Sequence, residues 1–286
     1  MLLAGAPAPA DGQDSGGPRI FISVDMEGIG GVGSPGMTSA SGKDYGTARR
    51  LMTDELNTVI RALFDAGAGH VLVNDSHGDH QNVLHTELDP RAEYVQGSIK
   101  RLGMVAELDS SFDAAIFLGY HAMAGVGDAF LAHTGSGSVK GLWVNEVEVG
   151  EGGMNALYAG SVGVPVILAS GDRAFGEEFT ALTGAPVVVT KEALGSSAAR
   201  LRSPESVRAE LAARAGEALR SLPEARPLEV RQPVVTRIRF ASTTRPYLLE
   251  AIPGVIRVDG STVEFRSESM GEAYQMIRLA YRFISW

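Results

Sequence analysis

The stretch IFISVDMEG, residues 20–28, decides the fold of this chain. Its first five residues form a continuous run of apolar and small side chains that follows Pro18 and ends near glycines, which is typical of a buried parallel strand. Asp25 and Glu27 stand where this strand leaves the sheet, and side chains two residues apart in an extended segment point to the same side. Two adjacent carboxylates repel each other, so we expect a metal cation beside them. The carboxyl ends of strands in open α/β sheets are where ligands bind.

The pattern that follows predicts the rest of the fold. A helix over 44–66 has apolar residues at three- and four-residue steps, and a second strand over 71–73 comes next. This βαβ unit favours parallel strands with a right-handed crossover. Further strands are predicted at 114–120, 142–144, 147–149, 165–169 and 186–190, and helices at 152–161 and 204–221. We therefore expect an α/β fold with a mostly parallel central sheet flanked by helices, and a smaller C-terminal α+β lobe.

Length and composition predict an ordinary globular protein in three parts. The chain has 286 residues, of which 44% are hydrophobic, enough for one large domain with a small appendage. Residues 1–18 are rich in Ala, Pro and Gly and lack the features of a secretory signal, so we predict a disordered N-terminal tail and a cytoplasmic location. The pattern of predicted strands and helices changes after Pro223. The predicted parts are the tail, an α/β catalytic metal-binding domain over 19–222 and a small α+β lobe over 223–286.

Charge and cysteine content exclude several classes of function. The net charge of −9 argues against a nucleic-acid-binding protein and gives no attraction to anionic membranes. The chain contains no cysteine, which excludes disulfides, thiolate zinc sites and cysteine nucleophiles. Any metal site must therefore use His, Asp and Glu.

Metal-binding residue types recur after the predicted strands. His77 follows the second strand and His121 follows the strand 114–120, just as Asp25 and Glu27 follow the first. A single histidine at a strand end is more often structural, but the ends of parallel strands would bring these four side chains to one edge of the sheet. Glu151, at the predicted start of a helix, is the fifth candidate, although a carboxylate there also complements the helix dipole.

This ligand set predicts hydrolysis assisted by two metal ions. Five ligands are too many for one catalytic zinc, which keeps about three protein ligands, but they suit two metals bridged by a carboxylate. Such a pair activates water and polarises a carbonyl. His133, in the loop after His121, is either a proton shuttle or oxyanion partner beside the metals, or a surface histidine. The chain shows neither a phosphate-binding loop nor the GxSxG motif of serine hydrolases.

Five short motifs in order give the chain a resemblance to a known family. They are VDMEG (24–28), VNDSHG (73–78), GYHAMAG (119–125), AHT (132–134) and GEGGMNA (150–156). Together they resemble the DppA-like D-aminopeptidase family of binuclear zinc metallopeptidases. The likeness extends over nearly the whole chain after the tail.

The resemblance implies a zinc-dependent aminopeptidase that acts on short peptides or amides with N-terminal D-amino acids, of the D-Ala type. It implies two divalent metal ions, with Zn²⁺ as the metal, and a ring-like homo-oligomer, with a decamer as the assembly. Asp25 is the expected bridging ligand. The metal ligands carried over from the family motifs are Asp25, Glu27, His77, His121 and Glu151.

The chain departs from this family in one respect. A cysteine nucleophile has been proposed for the family, and the corresponding region here, 130–134, has none. We favour metal-activated water with His133 assisting over a member with altered activity. Two alternatives stay open: another binuclear hydrolase, such as an amidase or phosphoesterase, and a non-catalytic peptide-binding protein of dipeptide uptake.

Overall fold

The computed structural model describes residues 16–284. The tail predicted over 1–18 lies almost wholly outside the described residues, and its disorder stays a prediction. Within 16–284, no helix combines the length and the apolar character needed to cross a membrane.

The strands and helices alternate over most of the chain. The strands are β1 (Arg19–Val24), β2 (His70–Asp75), β3 (Glu93–Val95), β4 (Ala114–Tyr120), β5 (Val139–Val144), β6 (Val147–Glu148), β7 (Val166–Asp172), β8 (Val187–Gly195), β9 (Ala198–Leu201), β10 (Val234–Phe240), β11 (Ile256–Arg257) and β12 (Thr262–Ser267). The helices are α1 (Pro35–Thr38), α2 (Tyr45–Asp65), α3 (Glu151–Ser161), α4 (Arg173–Thr183), α5 (Pro204–Arg220), α6 (Thr244–Leu249) and α7 (Met270–Arg278), and a π-helical turn (Leu279–Phe283) continues the last.

The larger sheet has the order β3-β2-β1-β4-β7-β8-β9. All its neighbouring pairs are parallel except β8 and β9, which run antiparallel. The predicted α/β fold with a mostly parallel central sheet is therefore confirmed. The chain leaves β1 toward β2 on one side and returns to β4 on the other, so the strand order reverses between β1 and β4. Ligands of open α/β sheets bind at such switch points, beyond the carboxyl ends of the strands.

Both faces of this sheet are covered, which explains the uninterrupted apolar strands. Ile20 and Ile22 of β1 belong to a buried cluster that includes Leu56 of α2 and Leu211 of α5. The alternate residue, Phe21, belongs to a second cluster on the opposite face, with residues of α3, α4, α7 and the smaller sheet. The period-two alternation of side chains thus gives each strand two buried faces.

The smaller sheet is antiparallel and has the order β11-β12-β10-β5-β6. Strands β5 and β6 come from residues before 222, whereas β10, β11 and β12 come after it. Leu142 of β5 pairs with Ile238 of β10, so the predicted C-terminal lobe shares a sheet with the preceding region. The domain boundary after residue 222 stays a prediction.

Candidate metal centre

The predicted site residues occupy the ends of three adjacent parallel strands and one helix. Asp25 and Glu27 follow β1, His77 follows β2, and His121 directly follows β4. Glu151 is the first residue of α3, whose preceding residue, Gly150, is extended. The order β2-β1-β4 brings these segments to one edge of the sheet. The carboxylates and His121 are buried.

Close contacts join these side chains into one cluster. His77 Nδ1 lies 3.1 Å from Asp25 Oδ1 and 3.0 Å from Glu27 Oε2. His121 Nε2 lies 3.4 Å from Asp25 Oδ2 and 3.6 Å from Glu151 Oε2. The two oxygens of Asp25 therefore face different histidines, which is the arrangement that a bridging carboxylate requires.

His133 belongs to the same cluster. Its ring stacks on that of His121 with centroids 4.0 Å apart, and its Nε2 lies 3.5 Å from Glu151 Oε1. The same oxygen, Glu151 Oε1, also accepts a hydrogen bond from the backbone N–H of Gly135 at 2.6 Å. His133 is about a third exposed, so it borders solvent on one side and the buried carboxylates on the other.

Backbone carbonyls orient all three imidazoles in the same way. The hydrogen bonds are His77 Nε2 to Thr38 O at 2.7 Å, His121 Nδ1 to Ala122 O at 3.0 Å and His133 Nδ1 to Leu131 O at 2.9 Å. A carbonyl can only accept, so each of these nitrogens carries the proton. In the neutral ring the remaining nitrogen presents its lone pair to the carboxylates. Metal-binding histidines are typically held in this way, with the nitrogen that is not a ligand donating to a carbonyl.

The arrangement fits divalent cations. Asp25 Oδ2, Glu27 Oε2 and His121 Nε2 are buried and have no hydrogen-bond partner. Ligand atoms of Asp25, Glu27 and His121 lie within 4.8 Å of one another, and so do those of His121, His133 and Glu151. Lone pairs of imidazoles and carboxylates that converge without donors between them need positive charge. Imidazole with carboxylate suits zinc and related first-row metals.

Protonation of these groups reflects the same excess of negative charge. Burial, and next the neighbouring Glu27 carboxylate, raise the pKa of Asp25 to about 6. Burial alone would lower the pKa of His77, but Glu27 and Asp25 raise it well above its ordinary value. For Glu151, burial would raise the pKa, yet His121 and His133 lower it to about 2. Protons on the histidines would supply the positive charge that a metal supplies when bound.

A buried lysine supports the loop that carries Glu27. Lys191 of β8 is fully buried and its ammonium donates to the backbone carbonyls of Glu27, Ile29 (2.8 Å) and Val32 (2.7 Å). On the same loop, the N–H of Gly30 donates to the buried Glu55 carboxylate at 2.7 Å. These bonds fix the turn after β1 and so fix where the Glu27 side chain begins.

The loop that carries His77 has its own buried anchor. The Asp75 carboxylate at the end of β2 accepts hydrogen bonds from the backbone N–H groups of Asn82 and Val83 and from the Tyr94 hydroxyl. The Asn82 side-chain amide donates to the carbonyl of His77 at 2.6 Å. The loop is therefore closed on itself around a carboxylate that does not belong to the metal-binding cluster.

The cluster opens into a cavity of about 250 Å³. Asp25, His77, His133 and Glu151 line it together with residues from the C-terminal helix and π-helical turn. These additional lining residues include Arg278, Tyr281 and Arg282.

The structure brings together every site residue that the sequence predicts, including His133, while their roles as ligands or catalyst stay predictions. Sequence reasoning missed the residues that support the site: Thr38, Glu55, Asp75, Lys191 and the C-terminal arginines. The buried position of Lys191 has no local sequence signal, because its partners lie about 160 residues away.

Fold and site together define a class: doubly wound α/β proteins with a buried carboxylate–histidine cluster, able to hold metal cations, at the switch point of the sheet. Residues 19–279 match the D-aminopeptidase family of peptidases, and the chain belongs to this family.

Two comparisons with known proteins agree. The chain is 34% identical over 270 residues to the D-aminopeptidase of Bacillus subtilis strain 168, covering 92% of this chain and 98% of that protein. Its structure is similar to that of the Zn-dependent D-aminopeptidase DppA from Bacillus subtilis, which is described as a self-compartmentalizing protease. The TM-score is 0.89 and the identity 33%, over 94% of this chain and 100% of that chain.

Proposed function

We propose that this protein is a zinc-dependent aminopeptidase that removes N-terminal D-amino acids from short peptides or amides. One observation carries the proposal: three imidazoles donate to backbone carbonyls and turn their other nitrogen toward three buried carboxylates. The similarity to D-aminopeptidases, one of them zinc-dependent, supports the reaction, the metal and the preference for D-residues. No observation favours a phosphoesterase or a non-catalytic peptide carrier.

Two divalent cations would be held by Asp25, Glu27, His77, His121 and Glu151. His77 contacts one oxygen of Asp25 and also Glu27, whereas His121 contacts the other oxygen of Asp25 and also Glu151. When bound, the cations supply Lewis-acid polarisation of the scissile carbonyl and lower the pKa of water.

The chain's own residues orient the substrate and manage protons. His133 Nδ1 is held by the Leu131 carbonyl, so Nε2 faces the cavity and the Glu151 carboxylate. From this position Nε2 can take up a proton from the attacking water and give it to the departing amine, as a general base and then a general acid do. The partial burial of its ring next to His121 keeps it in place beside the buried carboxylates.

The assembly is the second part of the proposal. We infer a ring-like homo-oligomer, a decamer, supported by the self-compartmentalizing relative. Several large apolar side chains are exposed on the single chain and are available for subunit contacts: Ile99, Leu194, Tyr247 and Ile256. Light scattering of the purified protein tests this; a particle of single-chain mass at micromolar concentration would contradict it.

Metal analysis combined with a substrate panel tests the activity. We expect about two zinc ions per chain, and hydrolysis of D-alanyl peptides and amides that stops on chelation and returns with zinc. The matched L-peptides and a phosphate monoester should be poor substrates. A metal-loaded protein that hydrolyses none of the D-aminoacyl compounds would refute the proposal.

A further inference from the structure

Part of the cavity beside the metal-binding cluster is lined by basic side chains. We call His80, Arg278 and Arg282 the basic wall; they line the same cavity as Asp25, His77 and Glu151. Arg278 is 3% exposed, and Arg282 lies one turn further along, in the π-helical turn. The chain carries a net charge of −9, so a basic lining beside three buried carboxylates is not a consequence of overall composition.

Neutral oxygens hold the cations of this region. Arg278 donates to the carbonyl of Lys100, and Arg282 donates to the carbonyl of Gly78 at 2.8 Å. The Lys100 ammonium, behind the wall, donates to Asn74 Oδ1 and to the carbonyl of Asp75, both at 2.7 Å. Within residues 16–284, none of these three cations forms an ion pair with a carboxylate. The two guanidinium groups are therefore not committed to a carboxylate of the chain.

His80 completes the wall next to the two arginines. Its side chain is 5% exposed, and its Nδ1 has no hydrogen-bond partner although it is buried. The attraction for an anion comes from Arg278 and Arg282, neither of which forms an ion pair with a carboxylate within residues 16–284. An anion is the ligand that these two guanidinium groups lack.

We propose that the two arginines of the basic wall bind the C-terminal carboxylate of the peptide substrate. This rests on the proposed aminopeptidase function, which places the N-terminal residue of the substrate at the metal-binding cluster. An extended chain spans about 3.3–3.6 Å per residue, so the two ends of a dipeptide lie about 7 Å apart. The cavity of about 250 Å³ is smaller than the roughly 300–1,000 Å³ of pockets for drug-sized ligands.

The presence of arginine in the wall favours a carboxylate as the ligand. The planar guanidinium presents paired N–H donors that match the two oxygens of a carboxylate, and such charge-assisted bonds are about twice as strong as neutral ones. A C-terminal amide of the same peptide has the same shape but no negative charge. A comparison of the peptide acid with its amide therefore isolates the interaction between the arginines and the carboxylate.

The test compares D-alanyl-D-alanine with D-alanyl-D-alanine amide in the metal-loaded enzyme. The native enzyme should prefer the free acid by about 10–100-fold in kcat/KM, which is the range for one hydrogen bond to a charged group. Arg282→Gln should raise KM for the acid by about that factor, leave kcat nearly unchanged and leave the amide unaffected. Because Arg282 is exposed, this variant should fold normally. Arg278→Lys keeps the charge without the paired donors, and its loss of preference should be smaller.

Arg226→Gln is the matched control. Arg226 is also exposed and also donates to backbone carbonyls, but it lines a cavity near the amino end of β7, at the opposite edge of the sheet. Equal hydrolysis of acid and amide by the native enzyme would overturn the basic wall as a carboxylate site while leaving the aminopeptidase function intact. A preference for the acid that survives both arginine variants would also overturn it. Hydrolysis of neither compound would instead count against the proposed function.

Discussion

Two buried groups of charges lie on either side of the loop after β1, and they are satisfied in opposite ways. Below the loop, the Lys191 ammonium donates to the carbonyls of Glu27, Ile29 and Val32 and also lies 5.0 Å from the centre of the Phe130 ring. Above it, atoms of Asp25, Glu27 and His121 have no hydrogen-bond partner. Buried polar groups are nearly always paired, so a cluster with several unpaired atoms marks a place where a ligand belongs. The lysine is a structural charge, and the cluster is a functional one.

Glu27 joins the two regions. Its backbone carbonyl accepts from Lys191, whereas its carboxylate contacts His77 in the cluster. The backbone bond fixes the position of the residue, and the side chain then reaches the cluster with few remaining rotatable bonds. The comparison therefore predicts different consequences. Substitutions in the metal-binding cluster should remove metal or activity, and substitutions on the Lys191 side of the loop should affect stability and metal affinity to a smaller degree.

The largest effect is expected for Asp25→Asn. The substitution keeps the shape but removes the charge that faces both His77 and His121, so both metals should be lost. A metal centre contributes several kcal/mol of transition-state stabilisation, so kcat/KM should fall by at least about 10³-fold. His77→Ala or His121→Ala should weaken mainly one metal. Metal content and kinetics measure this, with the exposed Asp54→Asn on α2 as control; a D25N variant with full metal content would contradict it.

His133→Ala should have the next largest effect. If His133 acts as a general acid, kcat should fall by about 10²–10⁴-fold while both metals and the fold are retained. Unchanged kcat would make it a surface-loop histidine, whereas lost metal would make it a ligand, a role that its 3.5 Å contact with Glu151 permits. His85→Ala is the control, because this histidine is exposed and packs only on Tyr94 among aromatic rings.

The sequence predicts the centre of the site better than its surroundings. Asp25, His77 and His121 follow apolar strands directly, and the meeting of parallel strand ends is a general property of the fold, so their proximity follows from local patterns. The basic wall was missed because it depends on where α7 packs, which no local pattern specifies. Lys191 was missed because strand 186–190 was predicted to end before it, and a lysine in a strand is usually solvated.

In the fold, one element with a local signal was missed as well as one that depends on distant pairing. Helix α4 was not predicted, although Asp172 caps it by accepting from the N–H of Phe175 at 3.2 Å, and Phe175 and Phe179 recur at helical spacing. That signal is local and was available. By contrast, the pairing of β10 with β5 joins residues nearly 100 positions apart, and only the shared hydrophobic face of the smaller sheet selects it.

Replacement of the buried lysine should have a moderate effect. Lys191→Met keeps the length of the side chain but leaves three carbonyls without donors, so the free energy of unfolding should fall by about 1–3 kcal/mol. Because the Glu27 loop is then less well held, zinc affinity should fall by about 10–100-fold, as for other residues that orient metal ligands. Chemical denaturation of the metal-free protein and zinc titration measure both, with Lys140→Met, an exposed lysine on β5, as control. Unaltered zinc affinity would show that the loop is positioned without Lys191.

The smallest effect is a pH dependence of the free energy of unfolding that originates at Glu55, on the Lys191 side of the loop. Burial raises the pKa of Glu55 from 4.5 to about 7, against the lowering effects of the Gly30 N–H and Lys191. Between these values the folded protein holds a proton that the unfolded chain releases, so Glu55 makes the free energy of unfolding fall as pH rises from about 4.5 to 7. Glu55→Gln cannot titrate; relative to the native metal-free protein it should gain stability steadily over this interval, by at most about 1.4 kcal/mol per pH unit. The exposed Glu229→Gln should track the native protein, and a constant offset between Glu55→Gln and native from pH 5 to 7 would show that Glu55 stays ionised.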